Sequence, residues 1–212
     1  MPPVTFAVPS RIVETLGAGA HTLGAMCNIP GRSRTALVVI DVQVGVVADT
    51  YRRDAVVANI ARLVQDARRH RIPVIWVQHS DEELVHGSAD WAIVPELIPL
   101  AEEPLVHKHF RSSFEGTNFE EQLAAHDVAH VVVCGAQTEF CVRNTVHAAY
   151  ERGYDVTLVE DAHTTADAMW DGEELPAREV IAAQNRVCSR YELPGRTCDV
   201  VSTADAFAAL SL

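Results

Sequence analysis

A thiol, a carboxylate and an ammonium stand at the ends of three strand-like runs in this chain. Cys141 follows HVVVC and the turn GAQTEF, Asp41 closes ALVVID, and Lys108 lies in PLVHKHF. These residue types suit attack on a carbonyl carbon. A thiolate is the nucleophile, a carboxylate takes the thiol proton and returns it to the leaving group, and an ammonium stabilises the developing anion. Cys141 is expected to open a helix, where free backbone N–H groups and the helix dipole favour the thiolate. The N–H groups of Gln137 and Cys141 are candidates for an oxyanion hole.

Such distant residues meet only if the fold gathers them. ALVVIDVQ, IPVIWVQH, PLVHKHF, HVVVC and YDVTLVED are short apolar runs without alternation, as expected of strands buried on both faces of a parallel sheet. Between Arg52 and Arg71, Val56, Val57, Ile60, Leu63, Val64 and Ala67 recur at helical spacing. Thr117 and Glu120 form a capping-box pattern for a helix through Leu123, a further helix runs from about Cys141 to Gly153, and residues 177–190 and 203–210 read as helical. Residues 80–103 read as a long loop with a short helical turn, and a last strand lies near Cys198 to Ser202. Alternating strands and helices predict an α/β three-layer sandwich, a central, mostly parallel sheet with helices on both faces. Ligand sites in such folds lie at the carboxyl ends of the strands. Residues 1–34 read as an irregular N-terminal arm and 35–212 as the catalytic domain.

Composition narrows the partners. A formal net charge of −12 argues against nucleic acid, because binding a phosphate backbone needs clustered Lys and Arg. No apolar run approaches the ~20 residues that span a bilayer, and the opening MPPVTFAVPSR lacks the pattern of a signal peptide, so a cytoplasmic protein with no membrane partner is expected. Five cysteines with no CxxC pair read as free thiols. Ten histidines show neither HExxH nor paired Cys/His spacing, so no metal and no cofactor are expected. The lesser candidates, for substrate binding, are His79, which ends a strand and can face a pocket, Trp91 and Phe114 for its apolar wall, Thr138 in the turn before Cys141, and Gln43, which also stands close enough to orient Asp41.

LVVIDVQ, VHKHFRSSFEGTNFEEQL and VVVCGAQTEFCVRNTVHAAYERGYDVTLVEDA together resemble the isochorismatase-like cysteine hydrolases, a family that includes nicotinamidases, N-carbamoylsarcosine amidases and ureidoacrylate amidases. The likeness covers roughly residues 35–205, and its most specific part is GxxTxxCV followed by a helix, Gly, a strand and DA. It implies Asp41, Lys108 and Cys141 as the triad, a non-proline cis peptide at Ala136–Gln137, a small amide, carbamoyl or ureido substrate, and a homo-oligomer, dimer or tetramer. Metal-dependent members resemble one another in an Asp-x-His element after the first strand, and here Gln43 stands where that His would be. Retention of the cysteine favours C–N hydrolysis through a thioester. The alternatives are vinyl-ether hydrolysis of the isochorismatase type and a catalytically silent, ligand-binding member.

Overall fold

The computed structural model describes residues 29–208. Most of the expected N-terminal arm and Cys27 therefore lie outside the described residues, as do the last four positions of the chain. Along the chain run β1 (Arg34–Ile40), α1 (Val44–Val47), α2 (Arg53–Arg69), β2 (Val74–His79), β3 (Leu105–Lys108), α3 (Phe119–Ala125) and β4 (Val128–Ala136). After a π-helical turn (Thr138–Val142) come α4 (Arg143–Glu151), β5 (Asp155–Thr164), β6 (Ala168–Trp170), β7 (Glu173–Leu175), α5 (Ala177–Cys188) and β8 (Cys198–Val201). Six strands pair in the order β3-β2-β1-β4-β5-β8. Every pairing in this sheet is parallel.

The continuous apolar run of β1 is explained by burial on both sides. Leu37 and Val39 pack with Val56, Ile60, Leu63 and Val64 of α2, whereas Ala36, Val38 and Ile40 pack with Phe119 and Leu123 of α3 and Val146 and Tyr150 of α4. Alternation of side chains along a strand sends neighbours to opposite faces, so each face needs its own apolar set. Pro73 precedes β2 and needs no ladder donor there; its carbonyl accepts the Leu37 N–H at 2.9 Å.

Three local expectations are corrected. The helix carrying Cys141 begins at Thr138, three residues earlier than its sequence suggested, as a π turn in which the Val142 N–H reaches the Gln137 carbonyl at 3.2 Å. The capping box before α3 is only half formed. The Thr117 hydroxyl accepts the Phe119 N–H at 3.1 Å, but Glu120 turns away to the Tyr154 hydroxyl. Thr203 to Phe207 forms turns rather than the first part of a helix, with the Ser202 hydroxyl donating to Asp205. The β6–β7 hairpin was not anticipated, although its Asp171-Gly172 pair, both with positive φ, is a common two-residue turn between antiparallel strands.

The chain moves outward from β1 to β2 and β3, then returns to place β4 on the other side of β1. That reversal opens a crevice at the carboxyl ends of β1 and β4. Gly135 permits the close approach there, since a Cβ at this position would lie 2.0 Å from the Ile40 carbonyl oxygen and φ is +124°.

Candidate active site

The three reactive residues converge in this crevice. The Asp41 N–H is tied to the Val77 carbonyl at 2.9 Å just beyond β1, and its backbone is left-handed, with φ of 50°. A non-glycine residue in that region costs about 1–3 kcal/mol, so surrounding structure holds the carboxylate where it points. Lys108 ends β3, whose residues alternate exposed and buried, and the alternation turns the lysine inward between exposed His107 and His109. Lys108 is fully buried. Its Nζ lies 2.6 Å from Asp41 Oδ2 and 3.2 Å from Cys141 Sγ. Cys141 is 4% exposed and sits in the first turn of the helical segment after β4, beyond the cis peptide at Ala136–Gln137.

The electrostatics differ from the expectation of a standing thiolate. Burial, followed by the charge of Asp41, pushes the Cys141 thiol up to about 11, against the pull of Lys108. Burial likewise raises the Asp41 carboxyl above its ordinary range, with Lys108 opposing. Sequence reveals the helix start, the lysine and the carboxylate but not the depth of burial, which with the charge of Asp41 outweighs the pull of Lys108. The resting arrangement is thus a protonated thiol facing Asp41, whose affinity for a proton burial has raised although the Lys108 ammonium lies 2.6 Å from its Oδ2.

A cavity of about 380 Å³ opens onto Cys141 and Asp41, with His79, Gln137, Arg111 and Phe140 among its walls. The Arg111 guanidinium stacks over the Phe140 ring at 4.4 Å. Neither residue was singled out from sequence, although Arg111 sits just after β3, at the strand end where ligands gather. A larger cavity, about 520 Å³, lies between Tyr51, Arg178 and the β6–β7 hairpin and contains none of the three reactive groups, so volume alone does not locate the chemistry.

The remaining candidates divide. His79 and Gln137 line the cavity. Gln43 does not orient Asp41; its amide instead accepts the His79 N–H at 2.8 Å and donates to the His79 carbonyl at 3.0 Å and the Trp91 carbonyl at 2.7 Å. Trp91 packs its ring near His86 and His107 rather than into the cavity. Phe114 packs against Phe119 and Tyr154 in the core. The Thr138 hydroxyl is buried against His163 Nδ1 at 2.9 Å. Among the described residues no group of three or more His, Cys, Asp or Glu side chains could hold a metal ion, and no helix is long and apolar enough to cross a membrane.

Comparison with known proteins gives a consistent answer. The family profile described as Isochorismatase domain matches residues 35–178. An uncharacterised isochorismatase family protein of Bacillus subtilis is 33% identical over 69% of this chain and 86% of its own length. The streptothricin hydrolase of Streptomyces noursei is 30% identical over 62% of this chain and 55% of its own length. The crystal structure of a cysteine hydrolase from Pseudomonas syringae superposes with a TM-score of 0.73 at 25% identity, covering 82% of this chain and 91% of that one.

Proposed function

Because the chain belongs to the isochorismatase family of hydrolases, we propose that it cleaves a small amide, carbamoyl or ureido C–N bond with Cys141 as nucleophile. The observation that carries this reading is the placement of one buried ammonium within 2.6 Å of a carboxylate and 3.2 Å of a thiol, at the mouth of a cavity large enough for a small molecule.

The chemistry follows from the resting protonation. As a carbonyl carbon approaches Sγ, Asp41 takes the thiol proton and the sulfur forms the new C–S bond. The ammonium of Lys108 stabilises the thiolate as it appears, which offsets the burial that otherwise keeps the thiol protonated. Negative charge on the carbonyl oxygen is met by the N–H groups of Gln137 and Cys141. Asp41 then passes its proton to the nitrogen as the C–N bond breaks, releasing the amine and leaving a thioester. Water attacks the thioester, gives a proton to Asp41, and releases the acid while the thiol is restored.

The test is a panel of primary amides and ureides assayed for ammonia release, with Cys141→Ala as control and intact-mass measurement of the wild-type chain during turnover. Loss of activity in the variant together with a mass increase matching the acyl fragment supports the reading. Cleavage of an isochorismate-like vinyl ether that persists in full in Cys141→Ala would favour vinyl-ether hydrolysis. No turnover and no adduct across the panel would favour a silent, ligand-binding member.

A further inference from the structure

The catalytic scheme above leaves one buried side chain beside the lysine without a task. His79 ends β2, and the parallel register pairs it directly with Lys108 at the end of β3. Both side chains are buried. His79 Nδ1 lies 3.3 Å from Lys108 Nζ, and its Nε2 lies 2.9 Å from Asp81 Oδ2.

Donor and acceptor chemistry fixes what this chain of contacts means. An ammonium has three N–H donors and no acceptor, so Nδ1 of His79 must carry the lone pair in its contact with Lys108. The ring proton then resides on Nε2, where the Asp81 carboxylate accepts it. Asp81 is itself anchored, because its Oδ1 accepts the N–H groups of Glu83 at 3.0 Å and Leu84 at 2.7 Å. The backbone of His79 is clamped at both its N–H and its carbonyl by the Gln43 amide. The imidazole is therefore held in position and orientation by Asp81 and Gln43, and the Asp81 contact at Nε2 and the Lys108 contact at Nδ1 call for the same tautomer.

We infer that His79 is a positioning residue, which holds the Lys108 ammonium between Asp41 and Cys141 through its Nδ1 lone pair while Asp81 sets its tautomer. A lysine reaches its site on four methylenes and can swing its charge over several ångströms; three neighbours in different directions pin it. With Asp41 and Cys141 supplying two contacts, His79 supplies the third. The inference rests on Cys141 being the reactive thiol, but it can be read without any substrate.

The experiment follows iodoacetamide alkylation of Cys141 by peptide mass spectrometry in the intact chain, at one mildly alkaline pH, in the wild type and three variants. His79→Asn places an amide oxygen where Nδ1 stands, His79→Gln reaches the place of Nε2 instead, and His79→Leu offers neither. A displaced ammonium that raises the thiol by about one pKa unit lowers the thiolate fraction, and hence the rate, roughly tenfold. The Asn variant is expected within about twofold of wild type and the Gln and Leu variants about tenfold slower. Once a substrate is in hand, the same two variants should lower kcat by a larger factor than they change KM. Equal rates in all three variants, or an Asn variant as slow as the Gln variant, overturn the inference. If the Leu variant does not fold, the Asn and Gln pair decides the matter alone. A sharp Asn and Gln contrast in a chain that hydrolyses no amide supports the positioning role and counts against the proposed function. Amide hydrolysis through Cys141 with no such contrast does the reverse.

Discussion

Two buried or half-buried ion pairs, one between α2 and the loop before β3 and one in the crevice, are built in opposite ways. At the edge by β2, Glu103 meets Arg68 in parallel bonds of 2.8 Å from Nε and a terminal nitrogen, and also accepts the Trp76 indole N–H at 2.7 Å and the Leu100 N–H at 2.9 Å. Burial alone would raise that carboxyl, but the four donors outweigh it and hold Glu103 below its usual range. In the crevice, Asp41 is more deeply buried and is faced by the Lys108 ammonium at 2.6 Å and the Cys141 thiol, fewer donors than Glu103 has, so burial wins and its carboxyl is raised. The saturated carboxylate is locked and fastens the loop after β2 to α2. The sparsely coordinated one keeps a raised affinity for a proton. Coordination, rather than the bare presence of an ion pair, separates scaffold from chemistry.

The sharpest way to break this contrast is to remove each pair and ask what is lost. Replacing Asp41 by Asn or Lys108 by Met is expected to reduce turnover about ten-thousand-fold, the scale seen when one member of a cooperating catalytic set is removed. Either single change strands a buried group, whereas the double variant Asp41→Asn with Lys108→Met removes both charges and should be at least as stable as wild type, as is often found when a buried pair is replaced by neutral groups. Thermal melts and residual activity of the three proteins check this. A double variant several kcal/mol less stable than wild type would mean that the crevice pair holds the fold together and the distinction fails.

Removing charge from the other pair should have the opposite signature. Glu103→Gln leaves the shape and loses the charged acceptor, at an expected cost of about 1–3 kcal/mol in urea unfolding, with kcat/KM unchanged. The sign of its pH dependence follows from the depressed carboxyl. The stabilisation is present above the ordinary carboxylate pKa and is lost as pH falls through the lower folded value, so wild type and variant should converge in acid. Asp41 runs the other way. Its raised carboxyl favours the folded state while protonated, and that contribution fades as pH rises through the folded value.

The sequence made much of this readable where local pattern decides the outcome. Unbroken apolar runs announced strands covered on both faces, and the heptad-like spacing from Val56 to Ala67 matches the buried face of α2. Strand alternation alone turns Lys108 opposite to His107 and His109, but it does not say that its side is the interior. What could not be read depends on strand register and on loop paths. The adjacency of His79 and Lys108 is fixed only when β2 and β3 align, and the roles of Gln43, Trp91 and Thr138 depend on which backbone carbonyls and rings the folded loops bring to them. Burial of Cys141 was equally invisible, which is why a helix start and a lysine suggested a thiolate where the folded chain keeps a thiol. Arg111 and the Asp171-Gly172 hairpin left weaker signals: a cation just past a strand end, and a common two-residue turn pair.

The mildest probe tests whether geometry, beyond charge, distinguishes the Glu103 pair. Arg68→Lys keeps the positive charge but replaces a rigid two-pronged donor with a single mobile one, and it forfeits the bond from the guanidinium to the Ile98 carbonyl at 2.8 Å. Because the Arg68 side chain is about one-third exposed, the expected cost is only about 0.5–1 kcal/mol at neutral pH. If the loss comes from the carboxylate bonds, it should shrink in acid, where Glu103 is neutral in both proteins and little remains for either cation to grip. A cost that is the same at neutral and acid pH would assign it to the arginine stem and Ile98. The saturation of Glu103 would then owe more to Trp76 and Leu100 than to its cation, and the two pairs would differ in their neutral donors alone.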